Sequence, residues 1–350
     1  MVKRREASFP RLPISGVLLA FVIVEVVTTI FSTHITQSLL FMERRLLLLP
    51  LMYVLVRKTS SRKTFGIFYV ALIISSFGVS LWSLKDILIH LPEYLHFQRR
   101  LSEFQMYMTT GGLLMITMLL LLPVLVHKRT PPKYRWMAIV AFLPLFMSLF
   151  FTFTRSSWLG FIAGTILIGI VRSKKIVIGL LIIIGAIIAI ASPQIQDRIF
   201  SIVNPYHPTN ISRLHMWETG FRMFRDYPVF GIGDVGTEVL WPKYAEPDWS
   251  PEGHLHNNVV MWLVTLGGVG CAVMVALFAR VWYVIQKIVK QLSDDWLLGS
   301  FALGALAVQI GFHVNGLFEW NFGDAEVITL VWAITGLAMA ANVIALREKA

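Results

Sequence analysis

QMYMTTGGLLMITMLLLLPVLV, residues 105–126, carries no charged side chain from end to end. A helix rises about 1.5 Å per residue and the hydrocarbon core of a bilayer is about 30 Å thick, so roughly 20 mostly apolar residues make one crossing. This stretch therefore reads as a transmembrane helix. The same reading applies at 13–31, 36–56, 65–83, 136–154, 156–171, 176–192, 257–279, 297–317 and 326–345. The weakest is 36–56, where Glu43, Arg44 and Arg45 interrupt the run; these residues either shorten the span or line a polar cavity. A cleaved signal peptide accounts for one apolar stretch, not for a series of them.

Composition agrees. Of 350 residues, 56% are apolar and 15% charged, against about 25% charged in soluble domains. The single cysteine, Cys271, rules out an intramolecular disulfide and a thiolate metal cluster. The formal charge of +11 would point to nucleic acid in a soluble chain; in a membrane chain the bias of Lys and Arg toward cytoplasmic loops explains it. With the N-terminus inside, 20 of the 31 basic residues fall in inside segments, including the short loops RKTSSRK, HKRTPPKYR and VRSKK. The expectation is an all-α polytopic membrane protein of about ten transmembrane helices, with both termini cytoplasmic and residues 1–350 forming a single transmembrane domain.

One outside segment, 193–256, is too long for a connector. Its tryptophans and phenylalanines argue for order. Ser212 can cap a helix on which Leu214, Trp217, Phe221 and Phe224 recur at helical spacing. That pattern predicts an amphipathic helix on the outer membrane surface. A Gly-rich turn, GIGDVG at 231–236, follows; alone it says nothing about nucleotides.

Three outer-face motifs could carry chemistry. In TFTRSSWLG, 152–160, Arg155 stands where one span ends and the next begins. It either snorkels to the interface or, with the free N–H groups of a helix N-terminus, binds an anion such as phosphate. In SRLHMWETGFRMFRDYPVFGIG, 212–233, Arg213 lies one turn before Trp217, while Arg222 and Arg225 read as lipid-headgroup contacts. In GHLHNN, 253–258, His254 and His256 precede a span. They are interfacial residues ahead of an Asn257 or Asn258 cap, a weak metal pair, or a general base, for which imidazole suits neutral pH. Arg99 and Arg100, and the acidic rim of Glu319, Asn321, Asp324 and Glu326, read more simply as solvated loops. Glu25, inside the first span, faces the bundle interior on this reading and has no assigned role.

These motifs, in this order, resemble the O-antigen ligase family, which also contains O-antigen polymerases. The resemblance rests on Arg155 after a Ser/Thr-rich span end, Arg213 four residues before Trp217, the D-x-P-x-x-G-x-G turn of Asp226, Pro228, Gly231 and Gly233, and H-x-H-N at His254, His256 and Asn257. RRLSEFQMYMTTGGLLM, 99–115, also looks like the family. The resemblance implies a glycosyltransferase of the bacterial inner membrane, with 193–256 as a periplasmic loop between helices 7 and 8 that carries part of the active site. Its donor would be a glycan on undecaprenyl diphosphate and its acceptor a hydroxyl of lipid A–core oligosaccharide, with membrane lipids around it and neither nucleic acid, metal nor other cofactor. A polymerase would use the same donor with a second lipid-linked glycan as acceptor. Arg155 and Arg213 would hold the donor diphosphate, and guanidinium suits that task because it stays charged and grips two oxygens. His256 would be the catalytic base, and His254, Asn257, Arg100 and Trp217 would support it. The helix N-terminus directly after His256 favours the neutral imidazole that a base needs. A lipid-linked glycan transporter is the competing class; it would need charged residues along several span interiors.

Overall fold

The computed structural model describes residues 12–102 and 105–349, which are helical with no strand. In chain order the helices are α1 (Ser15–Ile30), α2 (Ile35–Leu46), α3 (Pro50–Lys58), α4 (Arg62–Ile89), α5 (Leu91–Leu95), α6 (Tyr107–Val126), α7 (Pro132–Phe151), α8 (Arg155–Arg172), α9 (Lys174–Ile190), α10 (Pro193–Phe200), α11 (Pro208–Asp226), α12 (Trp241–Tyr244), α13 (Asn258–Gln291), α14 (Leu298–Gly316) and α15 (Ala325–Lys349). Local chemistry sets several starts. Ser61, Ser173 and Ser192 accept a hydrogen bond from a first-turn N–H of α4, α9 and α10. Proline opens α3, α7, α10 and α11, where its missing N–H costs nothing.

Six helices, α4, α6, α7, α13, α14 and α15, are long and apolar enough to cross a membrane. The other segments read as spans are also helical, but shorter or less apolar. The 36–56 stretch is not one helix: α2 ends at Leu46 and α3 begins at Pro50. The interruption at Glu43–Arg45 has a physical cause. Arg45 turns inward and pairs with Glu25 of α1 (3.2 Å) and with Asp234 (2.7 Å), both nearly fully buried. Its guanidinium also lies over the rings of Trp320 and Phe322. Glu25 thus does face the interior, as one of two acids sharing one arginine.

α14 is the hub, buried almost throughout and packed among α6, α8, α13 and α15. Close approach depends on small residues: a Cβ on Gly160 of α8 would lie 2.6 Å from the Gly311 carbonyl oxygen of α14. By contrast α9 buries only Leu180 and leaves Ile178, Leu181, Ile182, Ile183 and Ile190 at least half exposed. Such an apolar face is stable against lipid, not water.

Segment 193–256 is ordered. It folds into α10, α11, a 3-10 turn and α12, and shares a small core with α13, in which Met223, Ile232, Trp241 and Leu255 meet Val260 and Val264. α11 starts a turn earlier than Ser212 suggests, at Pro208, with His207 accepting from the Thr209 N–H. Its buried face is Met216, Thr219, Gly220 and Met223, packed on α13. Leu214 and Phe221 point outward, about half exposed, and Trp217 and Phe224 are half-buried. Arg222, read as a headgroup contact, pairs with Glu218 (2.6 Å). The GIGDVG turn explains itself by contact. α13 breaks at Gly267, and Ile232 and Gly233 donate to the Val264 and Thr265 carbonyls across that break. Gly231 (φ +71°) sits so close that a Cβ would meet the α13 backbone at 2.5 Å.

Candidate active site

A cavity of about 350 Å³ opens where the start of α8, α10, the first turns of α11 and the loop before α13 converge. Its lining includes Arg100, Arg155, Arg198, Arg213, Tyr107 and His256. Three of these arginines had been singled out by motif; Arg198 had not.

Each arginine is held differently. Arg155, at the N-terminus of α8, is buried. Nη1 donates to the Ser201 carbonyl (2.6 Å) and hydroxyl (2.8 Å), and Nη2 to Thr209 Oγ1 (2.7 Å) and Asn210 Oδ1 (3.0 Å). Arg198 donates through Nη2 (2.9 Å) and Nε (3.2 Å) to the Phe153 carbonyl. Arg100 lies over the rings of Phe97 and Tyr107. Arg213 has no hydrogen bond or ion pair among the described residues. None of the four is in a salt bridge among those residues, whereas nearby Arg99 is neutralised by Asp86 (2.7 Å). Burial, reinforced by the charges of Arg100 and Arg155, lowers Arg198 to about 9, so it is still charged at neutral pH. Burial also lowers Arg213, opposed by Glu319 and Tyr107. These four buried or half-buried cations, with no carboxylate among the described residues to pair with them, repel one another, and an anion in the cavity would relieve them.

His256 faces this cluster from the other wall. Its Nδ1 is 3.0 Å from Glu319 Oε1 and 3.2 Å from Oε2. The Glu319 side chain is only 12% exposed. Burial alone would raise its carboxyl, but the hydrogen bond from His256, with the Arg213 cation nearby, outweighs this and holds it below the usual range. An ionised carboxylate only accepts, so the hydrogen between the two groups lies on Nδ1. Three supports fix this geometry. Trp217 Nε1 donates to the Leu255 carbonyl (2.9 Å). Asn257, the α13 cap, accepts from the N–H groups of Val259 (2.9 Å) and Val260 (3.1 Å) and donates to the Leu317 carbonyl (2.9 Å). A buried amide chain, Asn258 to Asn321 to Asn315 to Ser157, ties the start of α13 to the start of α8.

The backbone is strained at the same place. The non-glycine residues with positive φ among those described are Phe97 (56°), Phe153 (51°) and His256 (48°). Such a conformation costs about 1–2 kcal/mol per residue. Phe97 stacks under Arg100 and Arg198, Phe153 precedes Arg155 and accepts from Arg198, and His256 is itself in the lining. Strain of this kind collects where a site needs side chains aimed in one direction.

Residues 139–275 match the O-antigen ligase family. The matched segment holds Arg155, Arg198, Arg213 and His256; Arg100 and Glu319 lie outside it. A protein of Rickettsia bellii named "Putative polysaccharide ligase" is 26% identical over 287 residues, covering 76% of this chain and 65% of its own length. This chain therefore spans a little under two-thirds of that relative. Most of the residues that line the cavity lie within the matched segment, and Arg100, Tyr107 and Met108 lie outside it.

The acidic rim is solvated only in part: Asn321 is buried and the Glu319 side chain nearly so, whereas Glu326 is exposed. Glu319 holds His256, Asn321 belongs to the amide chain, Asp324 accepts from Thr109 (2.5 Å), and Glu326 from Gln105 (3.1 Å). His254 packs edge-on against His256, with ring centres 4.2 Å apart. Burial, then the neighbouring His256, lowers it to about 4, so it is neutral at pH 7. Its Nδ1 is buried without a partner. Nitrogen or oxygen atoms of His254, His256 and Glu319 lie within 4.8 Å of one another, the one such metal-capable group among the described residues. Two histidines and a glutamate make a zinc-type donor set.

Proposed function

We propose that the protein transfers a glycan from undecaprenyl diphosphate to a hydroxyl of lipid A–core oligosaccharide at the outer face of the bacterial inner membrane. The observation that carries this reading is the cavity itself: four arginines that have no carboxylate partner among the described residues open onto the same space as a histidine held by a buried glutamate. Arg155 and Arg213, with Arg198 and Arg100, bind the donor diphosphate. The acceptor hydroxyl oxygen attacks the anomeric carbon, and the bond from that carbon to the phosphate oxygen breaks. Its electron pair leaves on undecaprenyl diphosphate, where the arginines stabilise the developing charge. His256 Nε2 takes the hydroxyl proton, and Glu319 stabilises the resulting imidazolium. Attack opposite the leaving group inverts the anomeric centre. The membrane map that goes with this chemistry has about ten crossings, both termini inside and 193–256 in the periplasm, supported by the bias of basic residues.

The test is reconstitution in lipid with a purified undecaprenyl-diphosphate glycan, offering lipid A–core or a second donor molecule as acceptor. Transfer to lipid A–core with inverted linkage supports the ligase. Extension of the second donor instead makes the protein a polymerase with the same donor chemistry. The His254–His256–Glu319 grouping motivates a second reading, in which a divalent metal activates the acceptor; loss of transfer on adding a chelator, restored by zinc, would favour it.

A further inference from the structure

Arg45, at the end of α2 and outside the cavity lining, spans Glu25 of α1 and Asp234 of the GIGDVG turn with its two Nη atoms. Asp234 is fixed in turn. Its N–H donates to Ser38 Oγ of α2 (3.0 Å), and the Ile232 carbonyl two residues earlier accepts from Ser32 Oγ (3.0 Å) and the Thr33 N–H (3.0 Å). The guanidinium lies 5.3 Å from the ring centres of both Trp320 and Phe322. These two rings alternate along the chain with two residues that serve the cavity: Glu319 holds His256, and Asn321 links Asn258 to Asn315. The Trp320 N–H also donates to Glu319 Oε1 (3.1 Å). The turn after α14 thus sets its rings on Arg45 and its polar side chains on the site.

We infer that Arg45 is a positioning residue that sets where Glu319 meets His256, acting through the rings of Trp320 and Phe322. The inference rests on the part given to Glu319 in the reaction proposed above and adds what aims that carboxylate. Packing alone does not call for a cation here. Burying one guanidinium with two carboxylates carries a desolvation cost, and apolar side chains of similar volume would fill the space as well. Glu25 Oε2 and Asp234 Oδ2 are buried with no hydrogen-bond partner among the described residues, so the trio bears that cost. What a guanidinium adds is direction. Its planar fork, gripped at both ends by carboxylates on different elements, has a fixed orientation, and an aromatic ring against its face is fixed with it. Trp320 is pinned in this way one residue from Glu319. Phe322 is pinned further by edge contacts with Phe21 and Trp262, at 6.3 and 5.7 Å between ring centres. A carboxylate on a short turn otherwise moves with its backbone, and a misplacement of about 1 Å at a reacting group costs about 100-fold in rate.

Arg45→Met would strand both buried acids, so the test uses two milder variants in the reconstituted transfer assay. Trp320→Leu leaves the trio of charges intact and removes the ring beside Glu319. Arg45→Lys keeps the cation but loses the flat face and the grip on two acids at once. Each is expected to lower kcat about tenfold with the donor KM within about twofold of wild type, and Trp320→Phe, which restores a ring, should recover most of the loss. The same two substitutions made on Glu319→Gln should cost less than about threefold, because the charge they aim is already gone. Equal losses with and without the Glu319 carboxylate, a rise in donor KM matching the fall in kcat, or wild-type kcat in either variant would overturn the positioning role. The levels separate cleanly. A costly Glu319→Gln beside a harmless Trp320→Leu refutes the part given to Arg45 only. Wild-type kcat in Glu319→Gln, or no transfer by the wild type, refutes the proposed reaction's use of Glu319 and this inference with it.

Discussion

Glu319→Gln isolates the contribution of one charge. Glutamine fills nearly the same volume, and its carbonyl oxygen can still accept from His256 Nδ1 and from the Trp320 N–H that Glu319 now accepts (3.1 Å). What disappears is the negative charge beside the imidazolium formed when His256 takes the acceptor proton. For unit charges about 4 Å apart at an effective dielectric of about 20, the attraction is about 4 kcal/mol. The pair is slightly open to solvent, with 17% and 12% of the side chains exposed, so about 3 kcal/mol is a fair figure, or about 100-fold in rate. The loss should fall on kcat. The KM for donor should move little, because in the proposed reaction the arginines, not Glu319, bind the diphosphate. Glu319→Asp keeps the charge at a longer reach and should recover part of the loss. The assay is steady-state transfer by purified variants in lipid, with donor binding measured separately. Glu319→Gln retaining more than about half of wild-type kcat would refute the role given to the carboxylate. A loss of donor binding equal to the loss of kcat would show that Glu319 merely holds the fold together.

Other substitutions probe the remaining walls. Arg213→Ala, which breaks no internal hydrogen bond, should leave expression and folding intact and cost about 100-fold in transfer, with Lys rescuing only partly because one ammonium cannot reproduce a two-pronged contact. Arg155→Ala should cost at least as much activity and also lower the melting temperature, since it strips four hydrogen bonds from the joint between α8, α10 and α11. Asn257→Ala removes the α13 cap and its tie to Leu317; a stability loss of about 1 kcal/mol is expected, seen as a lower melting temperature with activity reduced but not abolished. His254 gives a pH signature. The folded chain resists a proton, at about 4, that an unfolded chain accepts near 6.5. Stability therefore falls as pH drops through that window, by up to about 3 kcal/mol. His254→Gln should flatten this slope between pH 6.5 and 4, and an unchanged slope would assign it to other groups.

Much of the site was legible because its parts lie in short motifs at helix ends. Arg155 and His256 each sit at the start of a helix, Arg213 lies one turn before Trp217 within α11, and the structure brings all three to one cavity with Arg100. Arg198 and Glu319 escaped for a common reason. Neither belongs to a local pattern. Arg198 lies on a short helix, α10, outside the motifs of its segment. Glu319 meets a histidine 63 positions earlier in the chain, and from sequence it was one acid among several in a polar turn. A buried histidine ahead of a span implies a polar partner, but not which one. The break between α2 and α3 is similar: Glu43, Arg44 and Arg45 signalled an interruption, whereas the partners of Arg45 lie 20 positions before it, at Glu25, and 189 after it, at Asp234. The start of α11 was readable after all. Proline at 208 in the first turn is the stronger signal, and Ser212 at best a later candidate.

The most direct test of the account is transfer by His256→Ala beside His254→Ala, in lipid, with a chelator present and absent, and with donor binding followed in the same samples. The account predicts a loss of about 100-fold or more for His256→Ala, a much smaller loss for His254→Ala, undiminished donor binding in both, and indifference to the chelator. Full activity in His256→Ala, or equal losses from both histidines together with chelator sensitivity, would contradict it.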